Sequence, residues 1–343
     1  MPTTVILGEP IGFGFWVLTR VFLRFFPMAN PQSILHPVEL LGFHLEALRP
    51  RQWTKNLIVF AAPLFAFNLS LRSLQDSLLA FFLFCFVSSS FYLLNDVLDY
   101  ESDRTHPTKC NRPIAAGKVS VQMAVVMAIT LLSVSLIAAW VKNAALGGIM
   151  TTYAMVQVAY NLKLKHMVIL DVCTIAVGFV LRAYAGAAAN QIWLSSWFVL
   201  CSAMLALFLA IEKRKAELRM SEFSGKKTRK VLQEYSTSLL NRMENVVTTT
   251  TLVSYTLWSS GPHLKGSSTS AMLLTLPFVV YGLFRYQMIS EPKDMNRSDY
   301  LSVQSSERPD EVLLRDPSIL FTVIGWALSC FTILYLKSIS IIA

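Results

Sequence analysis

Charge is scarce in this chain. Only 15% of its 343 residues are Asp, Glu, Lys or Arg, where a water-soluble domain carries about 25%. That shortfall excludes an ordinary soluble enzyme, and the composition equally excludes a disordered or collagen-like chain. Cysteine is sparse too. Cys85, Cys110, Cys173, Cys201 and Cys330 are scattered, four of them inside apolar blocks, and no pair has metal-ligand spacing. A disulfide framework is therefore not expected. No Walker A or Gly-x-Gly-x-x-Gly motif occurs, which argues against a nucleotide fold. Neither a Gly-x-Ser-x-Gly nor a Cys/His dyad suggests covalent catalysis. The five histidines do not cluster.

What the chain does have is apolar length. Hydrophobic residues make up 54%, mean hydropathy is +0.50, and the apolar residues fall in long blocks. Nine stretches approach the roughly 17–25 residues that cross a bilayer as helix: about 56–70, 75–95, 122–141, 146–160, 168–189, 192–211, 244–260, 269–290 and 318–339. Their continuity, without period-2 alternation, favours helices, and lipid requires each backbone to satisfy itself. The expected fold is an all-α polytopic membrane bundle of nine transmembrane helices.

Charge placement tests that count. The loops around 44–55, 98–120, 161–167, 212–243 and 285–317 gather most of the 30 basic residues, whereas the opposite loops hold only Arg72, Lys142, Lys265 and Lys337. Positive loops stay inside. The N-terminus and the large loops are therefore expected in the cytoplasm, the chain being an integral protein of a bacterial inner (plasma) membrane. The net charge of +9 is explained this way and does not call for nucleic acid. Residues 1–45 stand apart as an N-terminal extension before a catalytic domain over 46–343. Within it, Arg20 and Arg24 interrupt an aromatic run at i, i+4 spacing. That suits an interfacial helix, and translation from near Met28 is the alternative.

Polar residues near a bilayer mark function by default, and they concentrate at helix ends on the basic side. Carried on at 100° per residue, the second span brings Asp96, Asp99 and Asp103 within about 60° of one another. Three carboxylates on one face repel unless a cation sits among them, and hard oxygen ligands suit Mg²⁺ shared with substrate phosphates. Asn95 adjoins them. His106 lies near and is read as a hydrogen bonder behind the carboxylates rather than a ligand. A second group, Arg49 through Asn56, places Lys55 at the mouth of the first span. Tyr160-Asn161-Leu162-Lys163-Leu164-Lys165 form a third. Asp171 and Arg182 follow in the fifth span, three turns apart, so each needs its own partner or ligand. Glu212-Lys213-Arg214-Lys215-Ala216-Glu217 close the sixth span. Together these groups suit a Mg²⁺-bound polyphosphate beside a hydrocarbon-lined bundle.

Asn95-Asp96-x-x-Asp99-x-x-x-Asp103 closely resembles the first signature of the UbiA superfamily of intramembrane prenyltransferases. The remaining stretches resemble its phosphoribosyl-transferring branch. They are Arg49–Asn56, Asn95–Gly117 with Arg104 and Arg112, Tyr160–Lys165, Asp171-Val172, Gly178–Arg182, Lys213–Leu218 and Pro309–Asp316. Members that transfer prenyl groups usually carry a second Asp-rich motif after the sixth helix. Here that place is basic.

The resemblance implies an active site at the cytoplasmic face, with Mg²⁺ on Asp96, Asp99 and Asp103. Asp96, Asp99 and Asn95 would be catalytic. Lys55, Tyr160, Lys163, Asp171, Arg182, Lys213, Arg214, Arg104 and Arg112 would bind substrate. It further implies transfer of 5-phosphoribose from phosphoribosyl diphosphate to a polyprenyl phosphate, in membrane lipid. The alternative is prenyl transfer from a prenyl diphosphate to an aromatic acceptor. A homo-oligomer stays open. A transporter is disfavoured because no internal repeat is visible and the polar groups gather at one face.

Overall fold

A computed structural model describes residues 37–106, 109–224, 230–291, 312 and 316–341. Most of the N-terminal extension, Lys226, Lys227 and Arg229, and the 309–316 motif apart from Val312 and Asp316, lie outside the described residues. Within them all regular structure is helical. Helix α1 is Pro37–Ala47. A 3-10 segment, Pro50–Phe60, runs into α2, Ala61–Phe65. Then come α3 (Leu71–Leu98), α4 (Tyr100–Arg104), α5 (Val121–Lys142), α6 (Ala144–Leu162), α7 (Leu170–Asn190), α8 (Ser196–Ser224), α9 (Thr237–Ser259), α10 (Leu276–Ser290) and α11 (Pro317–Ser338).

Six of these are long and apolar enough to cross a membrane: α3, α5, α7, α8 over Ser196–Ser221, α10 with the turn before it, and α11. The other three expected spans are helical but of different character. The first opens as 3-10 helix and has only a short α-helical part. Thr151, Thr152, Gln157 and Asn161 dilute α6, and a run of four threonines with Arg242 and Glu244 dilutes α9.

Local sequence sets the helix starts. Ser70, Ser120, Asn143 and Ser236 each accept a backbone N–H from the first turn of α3, α5, α6 and α9. Asp316 does the same for α11, with Pro317 at its first position. Such caps contribute about 1 kcal/mol each.

The helices alternate in direction. Lys142, ending α5, pairs with Asp76 near the start of α3 at 2.5 Å. Ser73 of α3 donates to Asn190, ending α7, at 2.6 Å. One end of the bundle thus collects Asp76, Lys142 and Asn190, and the other collects Asp96, Asp171 and the polar end of α8. Apolar residues such as Val126, Ile137, Phe321 and Leu328 point outward, toward lipid. Packing and interhelical hydrogen bonds, rather than exclusion of water, hold such helices together.

One close approach shapes the interior. A Cβ on Gly186 would stand 1.8 Å from the Val59 carbonyl oxygen, so only glycine lets α7 touch the 3-10 segment. This contact brings Arg182, one turn earlier on α7, beside Asn56.

Candidate active site

Helix α3 is 28 residues long, about 42 Å at 1.5 Å per residue. It outruns a hydrocarbon core of about 30 Å, and its last turn carries Asn95 and Asp96 to the rim. The helical phase then continues. Asp99 N–H donates to the Asn95 carbonyl at 2.9 Å, and Asp103 N–H to that of Asp99 at 2.8 Å. These bonds bridge the break between α3 and α4 at Asp99.

Asp96 and Asp103 are buried, at 4% and 2% exposure. Arg112 Nη1 joins them, 3.0 Å from Asp96 Oδ1 and 2.5 Å from Asp103 Oδ2. Arg49 Nη2 meets the same Asp96 oxygen at 2.5 Å, and Lys109 Nζ lies 3.8 Å from Asp103. Arg49 reaches inward from a left-handed backbone, φ 55°, just before Pro50, and its guanidinium stacks over Tyr92. Asn95 and Asp99 are half-buried alongside. Arg104 is exposed and lies over the Tyr100 ring, outside this cluster. His106 is exposed, and its Nδ1 accepts the Lys109 N–H at 3.3 Å.

Among the described residues no three Asp, Glu, His or Cys side chains converge as a closed metal cage would require. Guanidinium groups stand where carboxylate repulsion calls for positive charge. Mg²⁺ rarely uses an all-protein cage. It takes one or two carboxylates and completes its shell with waters and phosphates. The hard oxygens of Asp96, Asp103 and nearby Asp99 fit an ion of that shared kind.

Arg182 is buried deeper. It donates through Nε to Asn56 Oδ1 at 2.6 Å, through Nη1 to the Gly178 carbonyl at 2.8 Å, and through Nη2 to Tyr153 OH at 2.8 Å. Among the described residues no carboxylate pairs with it. Neutral oxygens and the Tyr153 ring, 4.9 Å away, solvate a cation that carries its charge uncompensated, an arrangement suited to an arriving anion.

Asp171 and Arg182 do not meet, as expected. Asp171 instead holds Arg214, Oδ2 to Nε at 3.0 Å, both nearly inaccessible, and Arg214 also pairs with Glu217. The sequence placed Asp171 and Arg214 among substrate-binding residues. The structure turns them toward each other because two buried charges are stable only as partners. Tyr160 lies within electrostatic reach of Arg214. The Tyr235 hydroxyl donates to Asp171 Oδ1 at 2.6 Å. Burial, then the bond to Asp171, pushes this phenol well above its ordinary range, so it keeps its proton. Lys163 caps the end of α6 and is exposed. Lys55 donates to Gln52, and Lys213 is half-buried.

The end of α8 is closed rather than open. Lys215 is fully buried, its ammonium among Glu212 at 3.2 Å, Glu291 at 2.7 Å, and Glu244. Ser290 and Gln287 satisfy the remaining oxygens of Glu212 and Glu244. Partial burial alone would raise the Glu291 carboxyl, but Lys215 and Arg219 hold it below its ordinary range. Sequence reasoning did not single out Tyr153, Tyr235 or Glu244. Of these only Glu244, an acid within an expected span, carried a signal.

Comparison with known proteins places the chain in a family. The model of the UbiA prenyltransferase family matches residues 57–302. A decaprenyl-phosphate phosphoribosyltransferase of Mycolicibacterium smegmatis is 43% identical over 238 residues, 68% of this chain and 73% of that one. Its namesake from Corynebacterium glutamicum is 36% identical over 311 residues, 88% and 89% of the two chains. In fold, the chain is similar to a UbiA homolog from Archaeoglobus fulgidus solved with GPP and Mg²⁺ (TM-score 0.58, 21% identity, covering 84% of this chain and 99% of that one).

Proposed function

Because the chain belongs to the UbiA prenyltransferase family, we propose that it is a membrane-embedded phosphoribosyltransferase. It moves 5-phosphoribose from phosphoribosyl diphosphate to a polyprenyl phosphate of the decaprenyl kind and releases diphosphate. The observation that carries this reading is the 36% identity, across 88% of the chain, to a relative named for that reaction. The closed end of α8 supports it. Where prenyl-transferring members place acids for a second metal, this chain holds the Lys215 ammonium among glutamates.

The bundle crosses the inner membrane nine times, with residues 46–343 as the catalytic domain and the Asp96 end facing the cytoplasm. There Asp96 and Asp103, with Asp99 and Asn95, would hold Mg²⁺, which would supply charge neutralisation for the departing diphosphate. Arg49 and Arg112 swing from the carboxylates to phosphate oxygens, with Lys55, Lys163 and Lys213 around them. The buried guanidinium of Arg182 receives a further phosphate. A lipid-phosphate oxygen attacks ribose C1 as the C1–O bond to diphosphate breaks. The acceptor's second pKa is about 6 by analogy with phosphorylated side chains, so it is already ionised and needs no general base. The main task is to hold two anions in contact, which positioned cations accomplish. Asp171 and Arg214 act as frame.

The test is purified protein given labelled phosphoribosyl diphosphate and, separately, labelled prenyl diphosphate with an aromatic acceptor, each with Mg²⁺ and with chelator. Label entering lipid phosphate only from the ribosyl donor supports the reading. Label leaving only the prenyl donor overturns it in favour of aromatic prenylation.

A further inference from the structure

The connection from α6 to α7 ends in an unusual backbone. Ile169 has φ 69° and ψ −47°, and the Leu170 N–H donates to the Val168 carbonyl at 2.8 Å. Those dihedrals with an i to i+2 bond define a γ-turn of the positive-φ kind, which is rare and strained for any L-residue. For a β-branched residue a positive φ is a true outlier. Such a backbone persists only where its surroundings over-determine it. The Ile169 side chain is exposed, so its own packing does not hold the turn.

Backbone bonds from Asp171 N–H to the Met167 carbonyl at 3.0 Å and from Cys173 N–H to the Ile169 carbonyl at 2.9 Å enclose it, and a hydroxyl from a distant segment braces it from outside. Tyr235 follows the 3-10 turn Lys230–Glu234 and is itself buried among Ile211, Leu232 and Leu240. Its oxygen accepts the Ile169 N–H at 2.7 Å and donates its own proton to Asp171 Oδ1 at 2.6 Å. Both hydrogen-bonding functions are used, one on each side of the strained residue. Upstream the connection is rigid. His166 N–H bonds the Lys163 carbonyl at 3.0 Å and Met167 N–H that of Leu164 at 3.1 Å. The Lys163 N–H also bonds the Ala159 carbonyl at 2.9 Å, so α6 holds the near end of the connection and the γ-turn its far end, with little freedom between.

We propose that Tyr235 is a positioning residue for donor capture: its hydroxyl clamps the γ-turn at Ile169 and so fixes the loop that presents Lys163 to a phosphate of the donor. This rests on the phosphoribosyl-transfer reading above. The clamp couples the segment at 230–235 to the α6–α7 connection.

Two variants separate positioning from mere stability. Tyr235→Phe keeps the packed ring and removes the hydroxyl. Its KM for phosphoribosyl diphosphate is expected to rise about tenfold, with kcat within about threefold and the KM for polyprenyl phosphate unchanged. Adding Ile169→Gly removes the strain the hydroxyl opposes, so the double variant should recover most of the lost donor affinity, while Ile169→Gly alone stays near wild type. Hydrogen exchange supplies a readout independent of turnover. The amides of 166–170 should exchange faster in Tyr235→Phe and return toward wild type in the double variant. An unchanged donor KM in Tyr235→Phe, or a raised one that glycine does not recover, overturns the proposal. If the wild type consumes no phosphoribosyl diphosphate, the functional reading has failed. The exchange comparison then decides the clamp alone, and equal exchange in wild type and Tyr235→Phe rejects it.

Discussion

Arg112 and Lys215 both bridge carboxylates at the same end of the bundle, yet 26% of the Arg112 side chain is open and only 1% of Lys215 is. Around Arg112 the anions are buried and the cations, Arg49 and Lys109 included, sit at the rim. Around Lys215 the cation is buried, together with Glu212 and Glu244. In the proposed reaction the first arrangement is exchangeable: a metal ion would take over the carboxylates while the guanidinium groups turn to arriving phosphates. The second is closed. Its ammonium is enclosed by Glu212, Glu244 and Glu291, and removing that cation leaves carboxylates stranded in a poorly polarisable interior. Similar residue types thus make a working mouth in one place and a fastener in the other.

The sharpest way to break this contrast is to neutralise one acid in the mouth. Asp96→Asn keeps the shape and removes the charge, and is expected to lower turnover about 10³-fold, the scale of losing one preorganised electrostatic contact to a leaving group. The amount of protein in the membrane and its melting temperature in detergent should stay near wild type. Turnover within tenfold of wild type would show that the mouth is no more functional than the fastener.

Lys215→Met should do the reverse. It leaves Glu212 and Glu244 buried without their cation, and breaking such a pair costs about 3–5 kcal/mol. The melting temperature in detergent should fall sharply, while the protein that remains folded keeps its donor KM. A raised donor KM with unchanged stability would mean that Lys215 belongs to the mouth after all.

Sequence made the mouth easier to read than the fastener, for a physical reason. The phase of Asp96, Asp99 and Asp103 is an inference from helix geometry alone, and i to i−4 hydrogen bonds from Asp99 and Asp103 bridge the break between α3 and α4 at Asp99. Asp171 and Arg182 could be known to need partners, because bare charges do not persist among apolar helices. Which partners they have depends on how helices cross. Arg182 finds Asn56 only because Gly186 admits Val59. Arg214 sits in a basic run that reads as a phosphate ligand until Asp171 is seen beside it. Tyr235 and Ile169 carry no local signal, since the strain at Ile169 exists only in the folded backbone.

A milder change sharpens the comparison within the mouth itself. Arg112→Gln removes the bridge between Asp96 and Asp103 but leaves Arg49 and Lys109. Hydrogen bonds to charged groups are worth about 1.5–3 kcal/mol, so kcat/KM for the donor should drop roughly ten- to a hundredfold. The Mg²⁺ concentration that gives half-maximal rate should fall, because the metal and the guanidinium compete for the same oxygens. An unchanged Mg²⁺ requirement would mean that Arg112 only braces the helix end.

The smallest effect lies at a pair of intermediate exposure. Arg285 Nη2 meets Asp316 Oδ2 at 2.8 Å, and Asp316 also caps α11 through the Ile319 N–H. The Arg285 guanidinium holds the Asp316 carboxyl below its ordinary range. A carboxyl whose folded pKa is depressed stabilises the fold above the unfolded value of about 3.9, and that contribution fades as pH falls through the folded value. Asp316→Ala should therefore cost about 0.5–2 kcal/mol at pH 7, the range of a lost helix cap. The gap in melting temperature from wild type should narrow only below about pH 4. Narrowing already near pH 6 would place the titration elsewhere and remove Asp316 as its source. A gap that persists to the lowest pH would mean the residue acts by packing rather than charge. It would then side with the buried fastener, although its exposure is closer to that of the mouth.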